Sequence, residues 1–209
     1  RVVSLENTLS GTVFPQDEIV RISAWAREHG LAMHLDGARL WNAAAETGLP
    51  LSELCAPFDT VSLCLSKGLG APIGSILVGP RAMIDRARKF RKLFGAGMRQ
   101  LGVLTAAAHV AVHDTFPQLR RTHDLARRCA RMLAARGIPL TVPCETNMVW
   151  FDAAAAGYDP DEISRRAEAL DPPMTIRCPR MVFHYQIRDD AVERLEGILD
   201  AMDAAKKTE

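Results

Sequence analysis

Residues 60–70 have the sequence Thr-Val-Ser-Leu-Cys-Leu-Ser-Lys-Gly-Leu-Gly, an apolar run that stops at Ser66 and Lys67. An apolar run of this length, bounded by turn residues, predicts a buried β-strand. Upstream, residues 31–35 form a second run of this kind, which stops at Asp36. Ligands of open α/β sheets gather at the carboxyl ends of the strands, so Asp36 and Lys67 are the first candidates for a functional site.

Further strands and helices are predicted around these two runs. Residues 2–6 and 74–78 favour strands, whereas residues 16–29 and the stretch from Pro80 to Arg91 favour helices. Strands that alternate with helices indicate right-handed crossovers between parallel strands. The expected fold class is therefore α/β, with a mainly parallel sheet and flanking helices.

A helical stretch begins near residue 103, and the sequence changes character after Gly137. Alanine-rich and arginine-rich sequence between residues 103 and 136 predicts long helices that break near Phe116-Pro117. A small α+β domain is expected to follow. Its predicted strands are residues 140–142, 147–151, 175–178 and 181–185, and its predicted helices are residues 160–170 and 189–204. We place the large domain at residues 1–125 and the small domain at residues 126–209.

Composition narrows the classes of function. The chain has 209 residues, is 48% hydrophobic and carries a net charge of +1, so it has material for a core and no global field that would attract nucleic acid or a membrane surface. A small molecule is the expected partner. No stretch approaches the roughly 20 apolar residues that cross a bilayer, and no secretion signal is present at the N-terminus.

The cysteines and histidines indicate neither a disulfide framework nor a metal site. Five cysteines are an odd number and show no CxxC spacing, which favours reduced thiols in a cytoplasm. His109 and His113 have helical spacing but lack the glutamate of an HExxH motif, and His34 and His184 are expected to be structural. We predict no metal.

Lysine and aspartate at neighbouring strand ends suit pyridoxal phosphate. A lysine forms a Schiff base only through its neutral amine, and an apolar strand end favours that form by desolvating the ammonium. The ring nitrogen needs an acid beside it, which an aspartate supplies. The alternative is a solvated lysine in a glycine-rich loop and a turn aspartate before Gly37. No GxGxxG opens a helix after a strand and no GKS or GKT occurs, so dinucleotide and P-loop sites are excluded.

Several ordered segments carry a resemblance to a known family. They are Glu6-Asn7-Thr8, His34-Leu35-Asp36-Gly37-Ala38-Arg39-Leu40-Trp41-Asn42, Ser62-Leu63-Cys64-Leu65-Ser66-Lys67-Gly68-Leu69-Gly70-Ala71-Pro72, Gly97-Met98-Arg99-Gln100 and Arg180-Met181-Val182-Phe183-His184. The chain resembles the L-threonine aldolases, which are fold type I pyridoxal-phosphate enzymes. The resemblance runs from about residue 1 to 125, with a shorter match in the C-terminal domain.

This resemblance implies a role for each matching residue. Lys67 would hold pyridoxal 5'-phosphate, and Asp36 would pair with its ring nitrogen. Arg39 would reach the ring hydroxyl and the substrate, or else is a surface arginine at a helix start. Ser66 would bond the phosphate, or merely closes the strand. Arg180 would grip the substrate carboxylate, a task that suits its planar fork of donors.

Two further basic residues match the family less specifically. Lys92 and Arg99 correspond to a basic pair near the family's active site, where positive charge would help to hold phosphate. The alternative is a charged helix face. The loop at Gly95-Ala96-Gly97 departs from the family by one methyl group, and the loop after Thr8 is shortened.

The resemblance also implies an activity and an assembly. The expected reaction is retro-aldol cleavage of L-threonine or L-allo-threonine to glycine and acetaldehyde. A related β-eliminating lyase or racemase is an alternative, as is a noncatalytic fragment. The chain opens on Arg1, and the family's N-terminal half, which carries phosphate-binding residues and a general base, is missing. A homodimer or homotetramer is expected, since family members place active sites at subunit interfaces.

Overall fold

The protein consists of two compact units in the computed structural model, which describes residues 1–206. The first unit contains residues 1–9 and 13–119. The second contains residues 10–12 together with the chain from Arg120 onward. The domain boundary that we place at residue 125 stays a prediction.

A four-stranded sheet forms the centre of the first unit. Its strands are β1 (Val2–Glu6), β2 (Ala32–Gly37), β3 (Thr60–Cys64) and β4 (Ser75–Val78). They lie in the order β1-β2-β3-β4; β1, β2 and β3 are parallel, and β4 is antiparallel to β3. The prediction of a mainly parallel sheet is confirmed.

Helices flank this sheet. They are α1 (Gln16–Glu28), α2 (Leu40–Thr47), α3 (Leu51–Cys55), α4 (Arg81–Leu93) and α5 (Gly102–Val110). The buried residues of α1 recur at helical spacing: Ile19, Ser23 and Ala26. Ile19 and Ala26 belong to the same core cluster as the buried side chains of β2 and β3. Met33 and Leu35 of β2 are fully buried, so one face of the sheet forms the core.

The edge strand β4 presents apolar side chains to solvent. Ile76, Leu77 and Val78 are each between 40% and 46% exposed, and no residue of α4 is buried. An unpaired strand edge with apolar side chains is a surface that proteins normally cover with further polypeptide.

The helical stretch after α5 is interrupted. One π-helical turn (Ala111–Thr115) and one 3-10 turn (Phe116–Gln118) precede α6 (Leu119–Ala135). Pro117 has no backbone N–H and its ring clashes with the preceding turn, which prevents a continuous α-helix. The predicted break near Phe116-Pro117 is confirmed.

The second unit is a small α+β structure. Its antiparallel strands are β5 (Leu140–Val142), β6 (Met148–Phe151) and β7 (Arg180–Val182), and its further helices are α7 (Pro160–Glu168) and α8 (Ala191–Lys206). Its core combines side chains from α6, α7, α8 and β6, among them Leu133, Ile163, Leu199 and Val149.

The predicted strand at residues 175–178 is wrong. These residues are irregular, and Pro172, Pro173 and Pro179 flank them. Proline cannot donate to a strand ladder, and the carbonyl of Ile176 instead accepts a hydrogen bond from the Ser164 hydroxyl at 3.0 Å. The segment is held by side-chain contacts to α7.

A short early segment, Ser10–Thr12, belongs to the second unit and is called the strap here. The Thr146 hydroxyl donates to the Gly11 carbonyl at 2.6 Å. Gly11 has φ +92, and a Cβ at this position would lie 2.9 Å from Cβ of Met148. Only glycine combines this backbone conformation with such close packing on β6.

The helices and cysteines of the structure bear on membrane insertion and disulfide formation. Among residues 1–206, no helix is long and apolar enough to cross a membrane. All five cysteines are free thiols.

Candidate active site

The carboxyl ends of β2 and β3 place Asp36 and Lys67 at the same edge of the parallel sheet. In the register of the sheet, Asp36 lies between Glu6 of β1 and Ser62 of β3. Strand β3 ends at Cys64, and Lys67 follows after two residues. Both side chains are exposed at this edge. The edge is where ligands bind in open α/β sheets.

Asp36 lies in β2, and its side chain stabilises the turn that follows the strand. Its backbone carbonyl accepts a hydrogen bond from the N–H of Asn7 at 3.1 Å, and its Oδ1 accepts one from the N–H of Ala38 at 3.0 Å. Gly37 is needed because a Cβ there would lie 2.8 Å from the carbonyl oxygen of Ser62. The glycine after the aspartate therefore serves close strand packing, and the cofactor role of Asp36 stays a prediction.

Lys67 begins a tight turn. The N–H of Gly70 donates to the Lys67 carbonyl at 2.8 Å, and Gly70 has φ +73, a conformation that favours glycine. Leu69 points into the core and is only 2% exposed, which anchors the turn. The Lys67 side chain itself is exposed, so the surrounding described residues do not supply the apolar shielding that the sequence predicts. The lysine lies beyond the end of β3, in the turn that follows the strand.

Arg39 lies close to Asp36 in sequence and starts α2. It is half-buried at the N-cap position, and its carbonyl accepts a hydrogen bond from the N–H of Asn42 at 2.9 Å. Two residues later, the Trp41 indole N–H donates to the Cys64 carbonyl at 3.0 Å. This bond ties the start of α2 to the end of β3. Ser66, next to Lys67, is exposed.

Asn7 and Thr8 add buried polar groups beside Asp36. Asn7 is 1% exposed and Thr8 is fully buried. Oδ1 of Asn7 accepts from the N–H of Phe14, whereas Nδ2 of Asn7 and Oγ1 of Thr8 have no partner among the described residues. Buried polar atoms without partners are rare and costly, and they concentrate at functional positions. In the sequence these two residues stand out only as part of the segment Glu6-Asn7-Thr8.

Lys92 and Arg99 lie elsewhere in the first unit. Lys92 is in the last turn of α4, and Arg99 is in the irregular segment that follows. Both are exposed, and neither has an acidic partner within residues 1–206. Their contribution to a phosphate site stays a prediction.

Arg180 is the first residue of β7 in the second unit, and it is exposed. It lines a cavity of about 730 Å³ together with Trp150, Met181 and His184. Burial lowers the pKa of His184 below its ordinary value of 6.5, so the neutral imidazole is favoured there. The predicted role of Arg180 as a carboxylate receptor stays a prediction.

The mainly parallel sheet and its helices form an α/β fold, and solved structures that match it are fold type I pyridoxal-phosphate enzymes. The structure matches that of a protein described as a putative L-allo-threonine aldolase from Listeria monocytogenes with a TM-score of 0.78, at 22% identity, over 96% of this chain and 61% of that chain. At this identity the match shows the fold, and the predicted fold class is confirmed.

Family membership follows from the sequence comparison. Residues 1–156 match the beta-eliminating lyase family, and the chain belongs to that family. It is 50% identical over 201 residues to the aldolase vrtJ of Penicillium aethiopicum, covering 95% of this chain and 51% of that protein. It is 44% identical over 209 residues to the low specificity L-threonine aldolase of Saccharomyces cerevisiae, covering 99% of this chain and 54% of that protein. The chain thus spans about half the length of the curated relatives it matches, and its resemblance to the threonine aldolases is confirmed.

Proposed function

We propose that this chain carries the cofactor lysine and the ring-nitrogen aspartate of a pyridoxal-phosphate-dependent aldehyde-lyase, which cleaves L-threonine and L-allo-threonine to glycine and acetaldehyde. The observation that carries the proposal is the position of Asp36 and Lys67 at one edge of the sheet, the first at the end of β2 and the second just beyond the end of its parallel neighbour β3. The names of the relatives from Saccharomyces cerevisiae and Penicillium aethiopicum support the aldolase activity.

The residues at this edge fit pyridoxal phosphate chemically. The group needs a primary amine to receive its aldehyde and a carboxylate for its ring nitrogen, and the edge offers both, exposed, with unpartnered buried polar atoms of Asn7 and Thr8 nearby. When bound, the cofactor supplies an electron-accepting ring for the electrons of the broken bond between Cα and Cβ.

Each candidate site residue has a distinct role in this proposal. The Lys67 amine holds the cofactor and yields its place to the amino group of the substrate. The Asp36 carboxylate keeps the ring nitrogen protonated and compensates its charge. Arg39 contacts the ring hydroxyl and the substrate, and Ser66 contacts phosphate, with Lys92 and Arg99 as further positive charge. Arg180 orients the substrate through its carboxylate, which sets the bond that breaks.

The test is a product assay with the protein expressed from its complete reading frame. L-Threonine is supplied with pyridoxal phosphate, and the glycine and acetaldehyde released are both measured. We expect the two products in equal amounts. Lys67→Ala should abolish release, because no other amine takes its place. Lys89→Ala, an exposed lysine of α4, is the matched control and should retain it. Unchanged release from Lys67→Ala would refute the proposal.

A second candidate is a β-eliminating lyase or a racemase, which would use the same lysine and aspartate. The description of the matched family favours the lyase. Product analysis separates these reactions: elimination yields a keto acid and ammonia, and racemisation yields the D-amino acid. A third alternative is a noncatalytic fragment that does not bind the cofactor. In that case, adding pyridoxal phosphate to the protein would produce no visible absorption band.

The proposal extends to assembly and location. We propose a homodimer or homotetramer, because contact with a second copy would bury the exposed apolar residues of β4. Analytical ultracentrifugation measures the oligomeric state directly. A cytoplasmic location, with a role in threonine breakdown and glycine supply, agrees with the free thiols of all five cysteines.

A further inference from the structure

We infer that Trp150 is the positioning residue that fixes the Arg180 guanidinium for a substrate carboxylate. The inference rests on the proposed function, in which Arg180 receives that carboxylate. It adds a residue that no motif singled out, and it predicts how the arginine is held when no substrate is bound.

The first observation is the pairing of the two residues. Trp150 of β6 lies directly opposite Arg180 of β7 in the antiparallel register. Directly opposed residues project to the same face of a sheet, so their side chains meet. Cζ of Arg180 lies 5.3 Å from the centroid of the Trp150 ring, within the range of a cation–π contact.

The second observation is that the indole ring is itself held in place. Its N–H donates a hydrogen bond to the carbonyl of Ser10 at 2.8 Å. Ser10 belongs to the strap, which is fastened one residue later by the bond from Thr146 to the Gly11 carbonyl at 2.6 Å. A ring bonded at one edge and anchored in a strand at the other has little freedom to rotate. It is therefore a firm platform for a flexible arginine.

The third observation is that Arg180 has no acidic partner within residues 1–206, and its guanidinium donates no hydrogen bond there. Two other arginines that line the same cavity are occupied: Arg188 makes two bonds to the Asp190 carboxylate, and Arg194 donates to the Pro172 carbonyl. Arg177 lines the cavity as well, but among residues 1–206 no aromatic ring lies against its guanidinium, so Arg180 alone of these arginines has a platform. A guanidinium left without an anion, beside a cavity of about 730 Å³, has its donors available for a ligand of small-molecule size.

Stacking explains why the tryptophan matters for recognition. A guanidinium uses its flat face for the ring and keeps its N–H donors in the plane, where they reach a carboxylate in the bidentate arrangement. Without the ring, the arginine would sample many rotamers and lose that entropy on each binding event. The platform lowers this cost, so its removal should weaken substrate binding more than it slows turnover.

The experiment is a double-mutant cycle in the protein expressed from its complete reading frame. Trp150→Leu removes the ring face, Trp150→Phe keeps a ring but loses the bond to Ser10, and Arg180→Ala removes the arginine. We expect Trp150→Leu to raise KM for L-threonine roughly three- to tenfold, the range of a lost cation–π contact, with little change in kcat. Trp150→Phe should raise KM less. In the Arg180→Ala background, Trp150→Leu should raise KM no further.

Two controls separate positioning from general damage. Arg131→Ala removes an exposed arginine of α6 that does not line this cavity, and Trp25→Phe alters an exposed tryptophan of α1; both should leave KM unchanged. A structural role alone would lower the unfolding temperature and reduce kcat in both backgrounds alike. A rise in KM that is equal with and without Arg180, or no rise at all, overturns the inference.

A second measurement keeps the test separate from the proposed activity. The chemical shift of the Arg180 Nε–H proton in nuclear magnetic resonance reports the aromatic ring beside it. This chemical shift should change in Trp150→Leu. On titration with sodium acetate, it should respond at a lower acetate concentration in the wild-type protein than in the variant. If no glycine is formed but these shifts occur, the proposed function fails and the positioning stands. If the chemical shift of the Nε–H proton is the same in Trp150→Leu as in the wild type, the positioning role of Trp150 is refuted.

Discussion

The indole N–H of Trp41 donates a hydrogen bond to the backbone carbonyl of Cys64 at 3.0 Å. Trp41 lies in the first turn of α2, close behind Asp36 and Arg39, whereas Cys64 ends β3 just before Lys67. The same ring packs edge-on against Phe116, with centroids 5.5 Å apart. One side chain thus links the start of α2, which follows the aspartate, to the end of β3, which precedes the lysine.

Replacing Trp41 tests this link. Trp41→Phe keeps an aromatic ring for Phe116 but leaves the Cys64 carbonyl without its donor, so we expect the free energy of unfolding to fall by about 1–3 kcal/mol. Urea denaturation followed by circular dichroism measures the change. Trp25→Phe, at an exposed position, is the control. Equal stability of the Trp41 variant and the wild type would contradict the proposed link.

Gly37→Ala should perturb the sheet beside Asp36. The added Cβ would lie 2.8 Å from the Ser62 carbonyl, so β2 and β3 must separate, and we expect a loss of about 1–3 kcal/mol in the free energy of unfolding. The same urea titration reports it. Gly197→Ala in α8 meets open space and should stabilise by about 0.5–1 kcal/mol, because alanine favours helix. An unchanged free energy of unfolding for Gly37→Ala would contradict this prediction and show that β2 and β3 can separate at little cost.

Asp36→Asn separates charge from structure. The asparagine oxygen can still accept the hydrogen bond from the N–H of Ala38, so the fold should remain, but the amide cannot compensate a protonated ring nitrogen. We expect turnover of L-threonine to fall about 10²- to 10³-fold, comparable to the loss of other preorganised electrostatic groups. Asp17→Asn on the exposed start of α1 is the control. Near-normal turnover would remove Asp36 from the proposed site.

The stability of the protein should depend on the charge of His184. Burial lowers its pKa in the folded state below the ordinary 6.5, so as the pH falls below that value the unfolded chain binds a proton that the folded chain does not. The free energy of unfolding should therefore decrease as the pH is lowered from 6.5. Urea titrations across this range should show a weaker decrease for His184→Gln than for the wild type. His109→Gln controls for removal of an exposed histidine, and parallel curves for wild type and His184→Gln would contradict the prediction.

The Cys129 thiol should be chemically inert in the folded protein. Burial, with a smaller contribution from Cys144, raises its pKa to about 12, and the side chain is fully buried. Only a thiolate reacts rapidly with iodoacetamide, so alkylation at pH 8 should spare this residue until the protein unfolds. Mass spectrometry of the peptides before and after adding urea makes the comparison within one sample. Rapid labelling of the native protein would mean that α6 opens readily.

Much of the sheet could be predicted from the sequence, for a physical reason. Strands β2 and β3 are short apolar runs that stop abruptly at polar residues, and this local signal is sufficient to place Asp36 and Lys67 at strand ends. Helix α2 was not predicted as an element, and a helix start at Arg39 stood only as an alternative, because this N-cap residue makes no side-chain capping bond and the usual start signal is absent. The error at residues 175–178 has the opposite cause: their composition suits a strand, but the prolines on both sides prevent ladder formation.

Relationships across distant parts of the chain could not be predicted in this way. The opposition of Trp150 and Arg180 depends on strand register, and that register follows from how β6 and β7 pair in three dimensions. The unpartnered groups of Asn7 and Thr8 become visible only once burial is known. Local sequence patterns contain neither kind of information.

The strap makes the second unit discontinuous along the polypeptide, and this affects how the unit can be inherited or transplanted. A gene segment that began at Arg120 would omit the carbonyls that receive the Trp150 indole and the Thr146 hydroxyl, and would leave Met148 without the glycine that packs on it. Recombination that moves this unit to another scaffold must therefore bring the early loop along or supply a substitute for it.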